Sequence, residues 1–408
     1  MPLANSYVNP EEINKTEFVC PLSLVRCTKC SLIQLTHVVP PDLMFAHYLY
    51  VSSTTPTFRK HFSDYADSIL DKIIGIQNPF AVDIGSNDGL LLSYYQQKGM
   101  RITGIDPATN LANQANKQGL TTLNRYFDKE CVETILETSG PAHAISANNV
   151  FAHIDDIYSV CDNAKSLLHD KGVFVIEFPY LVKMLNELLF DMIYHEHLSY
   201  ISVKPLEYLL AQFKLEIFHI DEVQSHGGSL RVFIQKQTTG GRTISPIVNE
   251  MSALESTAGL QTEIPYEVFA EKVLKIKSSF ITLVTNYRKK GLRVAGYGAP
   301  AKASTILNFY GLNASQIDYI VDDNELKQNH LSPGAKIPIV SSSHLDDSPA
   351  DVIIIFAWNF AAEILAKIGH LSQRGVEFII PIPNPQLTPP IDSTIDVSFH
   401  VRPSTNRP

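Results

Sequence analysis

A short histidine-rich segment carries the densest set of side chains able to do acid–base chemistry. Residues 191–200 read Asp-Met-Ile-Tyr-His-Glu-His-Leu-Ser-Tyr. Adjacent His-Glu-His differs from the His-Glu-x-x-His of zinc hydrolases, in which both histidines share one helical face. It suits a general base whose imidazole is held by a neighbouring carboxylate, because an imidazole titrates near neutral pH. The segment therefore predicts acid–base catalysis, with a packing role as the alternative for any single histidine.

A second polar cluster runs from Asn148 to His153 and directly follows an apolar run that predicts a strand. In an open α/β sheet the ligand crevice lies at the carboxyl ends of the strands. Asn149 and His153 are therefore expected to face such a crevice. Clustering of polar groups at this edge favours a functional role over a packing role.

The first glycine-rich loop lies within Ala81–Gly89, between an apolar strand and a helical pattern. Its glycines allow a sharp turn and a close approach to a ligand. Asp106 ends the next strand, where a carboxylate can accept both hydroxyls of an adenosine ribose. This layout serves a dinucleotide or S-adenosylmethionine. The carboxylates of Asp83 and Asp88 favour S-adenosylmethionine, since they repel a pyrophosphate and attract a sulfonium cation.

A second glycine-rich loop lies within Val294–Thr305 and again reads as strand, turn and helix. Gly296 and Gly298 expose backbone amides at a helix N-terminus, which favours anions, and Lys302 adds a positive charge. The loop therefore suits a phosphate group, and a purely structural turn is the alternative.

A cysteine pair, Cys27 and Cys30, has the Cys-x-x-Cys spacing of a zinc knuckle, and Cys20 precedes it. Structural zinc requires four ligands. The remaining cysteines, Cys131 and Cys161, lie in the α/β part of the chain, so the four-cysteine site is incomplete. Zinc bound through Cys27 and Cys30 and an ordinary pair of free thiols both remain open.

The elements that must position these residues alternate between strands and helices in two zones. We predict a small cysteine-bearing module over 1–50, an α/β domain over 51–240, a helical connection over 241–290 and a second α/β domain over 291–408. The two zones predict two parallel sheets, the first closed by an antiparallel hairpin. The strand candidates are Phe80–Ile84, Arg101–Ile105, His143–Ala147, Gly172–Phe178, Glu216–Val223, Leu230–Gln235, Arg293–Gly296, Asp318–Val321, Asp351–Phe356 and Glu377–Pro381.

The composition argues against several classes of protein. The 408 residues carry a formal net charge of −9, which disfavours a basic nucleic-acid-binding surface. No apolar run approaches the roughly 20 residues of a membrane span, and the first residues lack the features of a signal peptide. Five cysteines do not make a disulfide framework in a chain of this length. We therefore expect a cytoplasmic protein with no nucleic-acid or membrane partner.

Over nearly its whole length the chain resembles the S-adenosylmethionine-dependent C-methyltransferases that act at C3 of nucleotide-linked 4-keto-deoxysugars. The resemblance rests on Tyr-His-Glu-His-x-Ser-Tyr at 194–200 together with Gly-Tyr-Gly-Ala-x-Ala-Lys at 296–302. Further matching segments are Pro21–Leu35, Tyr48–His61, Asp83–Leu91, Asn148–Asp156, Gly227–Val232, Val321–Asp323 and Pro333–Pro338.

This resemblance implies an α/β fold with three parts. They are a class I methyltransferase Rossmann-like sheet, a second Rossmann-like C-terminal domain that contributes to nucleotide-sugar binding, and a small zinc-binding N-terminal module. It also implies that His197 is the catalytic base, with Tyr194 and Glu196 around it, and that His153 and Asn149 hold the sugar or orient the proton transfer. The expected cofactor-binding residues are Asp83, Gly85, Ser86, Asn87, Gly89, Asp106 and Asn148, and the expected substrate-binding residues are Tyr48, Gly298, Lys302 and Arg231.

The implied chemistry requires no metal. A ketone at C4 acidifies the proton at C3, a base removes that proton, and the enolate attacks the sulfonium methyl group. Two alternatives remain, an NAD-dependent sugar-nucleotide oxidoreductase that uses the same glycine loops and a nucleotide-sugar-binding protein without catalysis. The sequence leaves open the nucleotide base, the sugar, the stereochemistry and the oligomeric state.

Overall fold

The computed structural model describes residues 1–45, 56–382 and 385–387. The chain divides into two compact units. The first contains Met1 and Val19–Ala270, and the second contains Pro2–Phe18 and the chain from Glu271 onward. The four-part division predicted from the sequence stays a prediction.

The strands of the first unit form a large sheet and a small one. They are, in chain order, β1 (Leu24–Arg26), β2 (Ile33–Leu35), β3 (Phe80–Ile84), β4 (Arg101–Ile105), β5 (Thr122–Leu123), β6 (Ala142–Asn148), β7 (Leu168–Pro179), β8 (Ser199–Tyr200), β9 (Leu215–Val223) and β10 (Ser229–Lys236). The large sheet has the order β5-β4-β3-β6-β7-β10-β9. Its strands β3 to β7 run parallel, and β10 lies antiparallel to both β7 and β9. The predicted hairpin that closes the sheet is thus confirmed.

The central strands could be predicted from the sequence because their residues are buried and form apolar runs. Every residue of Phe80–Ile84 is buried, as expected for a parallel strand covered on both faces. The helices of this unit are α1 (Asp42–Phe45), α2 (Pro56–Leu70), α3 (Leu90–Gln97), α4 (Thr109–Lys117), α5 (Lys129–Ser139), α6 (Ile157–Leu167), α7 (Leu181–Asn186), α8 (Val203–Gln212), α9 (Pro246–Thr257) and the first part of α10 (Ile264–Lys289). Aspartates cap α5 and α6: the side chain of Asp128 accepts from the N–H of Cys131, and that of Asp156 accepts from the N–H of Ser159.

The small sheet joins the N-terminal segment to the histidine-rich segment. Its order is β1-β2-β8, and all pairs are antiparallel. Ile33 lies opposite Tyr200, and the N–H of Leu35 donates to the carbonyl of Leu198 at 2.9 Å. The strand β8 therefore fixes the end of the segment that contains His197.

The second unit holds a sheet of its own. Its described strands are β11 (Val294–Tyr297), β12 (Tyr319–Val321), β13 (Ile339–Val340), β14 (Val352–Ile355), β15 (Glu377–Ile380) and β16 (Gln386–Leu387), and its described helices after α10 are α11 (Ala301–Tyr310), α12 (His344–Asp347) and α13 (Ala361–Ile368). The order is β13-β12-β11-β14-β15-β16, parallel except for β16. The second parallel sheet expected from the sequence is confirmed.

The parallel arrangement decides where polar groups collect in the first unit. Strand β3 has β4 on one side and β6 on the other, so the order along the chain reverses there. Such a reversal leaves a crevice outside the carboxyl ends of the strands. Asp83, Asp106, Asn148 and Glu177 all lie at or next to those ends. Within the described part of the chain, no helix is both long enough and apolar enough to cross a bilayer.

Candidate active site

A cavity of about 670 Å³ opens at the carboxyl edge of the large sheet, and its lining residues all belong to the first unit. Residues from the first glycine loop, from the end of β6 and from the histidine-rich segment meet there. The predicted site residues that line it are Asp83, Gly85, Ser86, Asn87, Asp106, Asn148, Asn149, His153, Tyr194 and His197. The expected cofactor loop and the expected acid–base groups therefore line one cavity.

At the cofactor end, Asp106 is held by the loop it faces. One carboxylate oxygen accepts from the N–H of Asn87 at 2.8 Å, and the other accepts from the N–H of Ala108 at 2.8 Å. Burial raises the pKa of Asp106. Gly85 has a φ of +67°, and a Cβ there would lie 2.6 Å from Val150 Cγ2, so only glycine fits this turn. Each Asp106 oxygen keeps a lone pair that a ribose hydroxyl can use.

Asp83 is the most strongly perturbed acid of the cavity. It is 4% exposed, and its Oδ1 accepts from Ser146 Oγ at 2.6 Å. Burial raises its pKa to about 7, and the Ser146 hydrogen bond acts in the opposite direction. A carboxyl group in this state gains from a nearby cation, because the cation favours its ionised form.

At the acid–base end, the two nitrogens of His197 have distinct partners. Nδ1 lies 2.7 Å from the carbonyl oxygen of Met192. Since a carbonyl can only accept, Nδ1 carries the proton and Nε2 is left as the basic nitrogen. Tyr194 Oη lies 2.8 Å from Nε2 and donates to it. His197 is thus oriented as a base whose lone pair points at a hydroxyl.

The remaining histidines of this region differ in their surroundings. His153 packs its ring edge-on against His197 at 4.9 Å, and burial lowers its pKa to about 4, so it is neutral at pH 7. His195 is directed elsewhere: its Nε2 lies 3.1 Å from the carbonyl oxygen of Cys20. Glu196 is buried, and neither it nor His195 lines the cavity. The histidines facing the cavity from this part of the fold are therefore His153 and His197.

Two residues that were predicted to bind a ligand, Gly89 and Arg231, pack within the protein and do not line the cavity. A Cβ on Gly89 would lie 2.6 Å from Leu120 Cδ1, so this glycine packs against the residues that follow α4. It does not line the cavity. Arg231 is 4% exposed; its Nε donates to Glu177 at 2.9 Å and its Nη1 donates to Ser68 at 3.0 Å. Its guanidinium is committed to a buried ion pair, which does not favour a substrate contact. Tyr48 lies outside the described residues.

Glu177 organises a polar group beside the cavity that the sequence analysis missed. Burial raises the pKa of this fully buried carboxylate, but His61 and Arg231 outweigh burial and hold the pKa below its usual value. His61 Nε2 lies 2.9 Å from Glu177 and 3.5 Å from Asn148 Nδ2, and Asn149 Nδ2 donates to Asn148 Oδ1 at 2.8 Å. The sequence feature that could have indicated this group was Glu177 itself, an acid near the end of the apolar strand β7.

The second glycine loop, in the second unit, is tied to its own surroundings. Gly298 has a φ of +84°, and a Cβ there would lie 2.5 Å from Ala357 Cβ. The N–H of Ala299 donates to Asp322 at 2.6 Å, and Lys327 Nζ donates to the carbonyl of Ala299 at 3.0 Å. Lys302 is 6% exposed, with its Nζ 4.5 Å from the centre of the Trp358 ring.

The Cys-x-x-Cys segment forms a tight knuckle but offers only two thiols. The N–H of Ser31 donates to the carbonyl of Cys27 at 2.9 Å. Hydrogen bonds from the Cys30 and Lys29 backbone lower the pKa of Cys27, and burial raises the pKa of Cys30. Among the described residues no three His, Cys, Asp or Glu side chains are arranged to hold a metal ion. The described residues therefore do not make up the four-ligand set that structural zinc requires.

Sequence reasoning also missed other residues of the cavity lining, several of them aromatic. The missed residues include Phe45, Phe58, Tyr126, Phe178, Met192, Ser199, Tyr200 and His226. Tyr200 stood within the histidine-rich segment, but nothing in the spacing distinguished it from a packing residue. Phe58 and Tyr126 come from parts of the chain that only the folded sheet brings together.

Three family models match successive parts of the chain. Residues 1–45 match a domain described as "Putative zinc binding domain", residues 59–220 match "Methyltransferase domain", and residues 224–383 match "C-methyltransferase C-terminal domain". The chain is also 36% identical over 386 residues to C-methyltransferase NovU of Streptomyces niveus, which covers 95% of this chain and 92% of that protein.

Solved structures match only part of the chain. An S-adenosylmethionine-dependent methyltransferase from Clostridium acetobutylicum covers 43% of this chain and 91% of its own, at 13% identity and a TM-score of 0.36. Magnesium protoporphyrin IX methyltransferase from Synechocystis covers 44% of this chain and 80% of its own, at 12% identity and a TM-score of 0.33.

Proposed function

We propose that the substrate of this protein is a nucleoside-diphosphate-linked 4-keto-6-deoxyhexose and that it is methylated at C3. The premise is that the chain belongs to the C-methyltransferase family and is an S-adenosylmethionine-dependent C-methyltransferase. One observation carries this proposal. The cofactor loop and an oriented, buried imidazole line the same cavity. Carbon methylation next to a ketone needs that pairing, since the carbon must lose a proton before it can attack. The membership of the family decides against the oxidoreductase and the non-catalytic alternatives.

The cofactor end is suited to the charge that it must bind. When bound, S-adenosylmethionine supplies an electrophilic methyl group. Asp106 can accept the ribose hydroxyls, and Asp83, with its pKa near 7, faces the same cavity and is stabilised in its ionised form by a cation. Gly85 lines the same cavity, and its positive φ and the nearness of Val150 allow only glycine in this turn.

The acid–base end accounts for proton removal. His197 Nε2 takes the proton from C3, and the Met192 carbonyl stabilises the resulting imidazolium through the Nδ1 proton. Tyr194 occupies Nε2 in the substrate-free protein, so the substrate must displace this hydroxyl or lie beside it. Neutral His153, edge-on to His197, excludes a second positive charge from the site.

The nucleotide half of the proposed substrate carries anionic groups that need a partner of their own. We propose that Lys302, at the start of α11, binds an anionic group of the nucleotide, because a helix start and a lysine both favour negative charge. The zinc expected from the N-terminal resemblance has no part in the reaction proposed here.

The position of methylation is tested with a labelled methyl group. The enzyme is incubated with S-adenosylmethionine carrying a ¹³C-methyl group and with thymidine diphosphate-4-keto-6-deoxyglucose, and the product is read by NMR. We expect the label on C3. A label on C5, the other carbon next to the ketone, or on an oxygen or nitrogen contradicts the proposed position.

The base is tested by His197→Asn. General-base catalysis is worth about 10²–10⁴-fold, so we expect kcat to fall by that order while the affinity for S-adenosylhomocysteine is retained. Exchange of the C3 proton with deuterated water should fall in parallel. His195→Asn, which changes the neighbouring imidazole directed at Cys20, is the matched control and should retain exchange. Exchange by His197→Asn at the parent rate shows that another group is the base.

A further inference from the structure

One turn of the first unit contacts both the cofactor loop and the acid–base groups. This bridging turn, residues 148–153, follows β6, and most of its residues line the cavity. On one side, a Cβ on Gly85 would lie 2.6 Å from Val150 Cγ2, so Val150 packs directly on the cofactor loop. On the other side, the ring of His153 packs edge-on against the ring of His197 at 4.9 Å. The bridging turn therefore separates the cofactor loop from the proposed base.

Hydrogen bonds attach the start of the bridging turn to Glu177. Asn148 pairs with Glu177 across β6 and β7, and the N–H of Asn149 donates to the carbonyl of Glu177 at 2.8 Å. Asn149 has a φ of +52°, a left-handed conformation that asparagine adopts more readily than most residues. Its Nδ2 donates to Asn148 Oδ1 at 2.8 Å. The conformation at the start of the turn thus depends on the position of Glu177.

The side chain of Glu177 acts on the same turn through His61. Glu177 is fully buried, and its Oε1 lies 2.9 Å from His61 Nε2. Because an ionised carboxylate can only accept, His61 Nε2 carries the proton and donates it. The same Nε2 lies 3.5 Å from Asn148 Nδ2, so the bond to Glu177 holds the imidazole against the amide of Asn148. Arg231 Nε donates to the other carboxylate oxygen at 2.9 Å and balances the buried charge.

We propose that Glu177, through His61 and the bridging turn, is a positioning residue that sets the distance between the methyl donor and the base. This inference rests on the proposed function, because it requires a carbon that loses a proton to His197 before it is methylated. Attack on the methyl group needs the reacting atoms about 3–3.5 Å apart and aligned, and a misplacement of about 1 Å can cost about 100-fold in rate. Proton removal needs only the substrate and the base.

The two halves of the site are also held independently of Glu177. His197 is oriented by the carbonyl of Met192 at 2.7 Å and by the hydroxyl of Tyr194 at 2.8 Å. The cofactor loop is held by Asp106, which accepts from the N–H of Asn87 at 2.8 Å. A displaced bridging turn should therefore leave both halves formed and shift one relative to the other. Methyl transfer should then suffer more than proton removal or cofactor affinity.

The test compares His61→Leu with His61→Gln. Leucine removes the donor to Glu177, whereas glutamine offers an amide N–H close to the position of Nε2. Three quantities are measured with thymidine diphosphate-4-keto-6-deoxyglucose as the substrate. They are the dissociation constant of S-adenosylhomocysteine, exchange of the C3 proton in deuterated water with S-adenosylhomocysteine bound, and the single-turnover rate of methyl transfer.

The expected result is a split between exchange and methyl transfer. In His61→Leu we expect methyl transfer to fall by about 10–100-fold, while exchange stays within about threefold of the parent rate. The affinity for S-adenosylhomocysteine should be retained, which also shows that the variant is folded. His61→Gln should recover most of the methyl-transfer rate, because it restores the hydrogen bond to Glu177.

A matched control separates this role from general disturbance of the ion pair. Ser68 lies on α2, as His61 does, and its Oγ accepts from Arg231 Nη1 at 3.0 Å, on the guanidinium side of the pair. Ser68→Ala should keep all three parent values. Glu177→Gln leaves the buried charge of Arg231 unbalanced and can fail to fold, so the His61 variants decide the matter.

The outcomes distinguish the inference from its premise. Equal losses of exchange and methyl transfer in His61→Leu overturn the positioning role, because the base itself is then disturbed. Parent rates in His61→Leu, a loss of its affinity for S-adenosylhomocysteine, or equal losses of methyl transfer in the leucine and glutamine variants also overturn it. A parent enzyme that neither exchanges nor methylates the 4-keto sugar overturns the proposed function, and the role of Glu177 with it.

Discussion

The two glycine-rich loops share one backbone design and differ in what lies in front of them. In each, a buried strand leads through glycine into a helix, and an aspartate at the end of the next strand accepts a loop N–H: Asp106 from Asn87, and Asp322 from Ala299. The first loop opens onto the large cavity. In the second, Lys327 donates to the carbonyl of Ala299 and lies 3.6 Å from Asp322, so contacts within its own unit hold the turn.

This difference shows that the shared design, a strand followed by a glycine turn, a helix and an acid, is in the first place a way to turn the chain. A ligand site also needs open volume beside the turn. The glycines make the same point. Gly85 and Gly298 both have positive φ and both exclude a Cβ, the first because of Val150 and the second because of Ala357. The first of these constraints lies beside the large cavity. Substitutions matched between the loops can therefore separate binding from folding.

The largest effect is expected from the pair Asp106→Ala and Asp322→Ala. Loss of Asp106 removes the acceptor of two buried backbone N–H groups and the expected ribose contacts. We expect a loss of affinity for S-adenosylhomocysteine of about 100-fold, equivalent to roughly 3 kcal/mol. Asp322→Ala should lower the melting temperature but keep that affinity. Calorimetric titration checks both, and an equal loss of affinity in the two variants contradicts the distinction between the loops.

A smaller effect is expected from pH at the first loop. Asp83, with a pKa of about 7, is neutral below that pH and ionised above it, so affinity for cationic S-adenosylmethionine should rise between pH 6 and 8. A shift of one pKa unit on binding corresponds to about tenfold in affinity. Asp83→Asn cannot ionise and should flatten the profile. A parent profile that is already flat contradicts this role.

The same shift predicts the opposite trend for the ligand-free protein. The folded pKa of Asp83 is raised, so the unfolded chain releases this proton first. The stabilisation associated with Asp83 is therefore complete below about pH 4 and is lost as pH rises towards 7. Asp83→Asn should accordingly raise the melting temperature of the ligand-free protein at pH 8, which a thermal melt measures.

The smallest effect is expected at Lys302. If the start of α11 binds the nucleotide's anionic group, Lys302→Ala should raise KM for the sugar nucleotide several-fold, change kcat little and leave cofactor affinity unchanged. Lys367→Ala removes a charge that pairs with Asp323 in the same unit and is the control. Steady-state kinetics of both variants decide the matter. Unchanged KM with a lower melting temperature assigns Lys302 to packing on Trp358.

Long buried elements could be predicted from the sequence because their pattern is local. The apolar runs at Phe80–Ile84 and Arg101–Ile105 became strands with those bounds. The two-residue strands Thr122–Leu123 and Ser199–Tyr200 have no periodicity of their own and form only when a neighbour is in place. The placement of Pro2–Phe18 with the second unit also depends on distant pairing, here between Val8 and Leu331.

Part of the cavity lining was predictable for the same reason. Asp83 and His197 follow from residue type and from position at a strand end or in a dense segment. The surroundings of Gly89 and Arg231 could not be assigned from spacing, because only the folded chain brings Leu120 against Gly89 and Glu177 against the Arg231 guanidinium. Tyr200 was missed because its place in the cavity lining depends on the pairing of β8 with the distant strand β2.

The pairing of β2 with β8 has a consequence for how such a chain can evolve. The Cys27–Cys30 knuckle sits at the turn between β1 and β2, and β2 is the strand that holds Ser199 and Tyr200 in register. Strands β1 and β2 thus support the end of the histidine-rich segment, although they are encoded far upstream of it. A recombination or truncation that removes β2 also removes the hydrogen-bonded neighbour of the histidine-rich segment. The two stretches form one heritable module despite their distance along the gene.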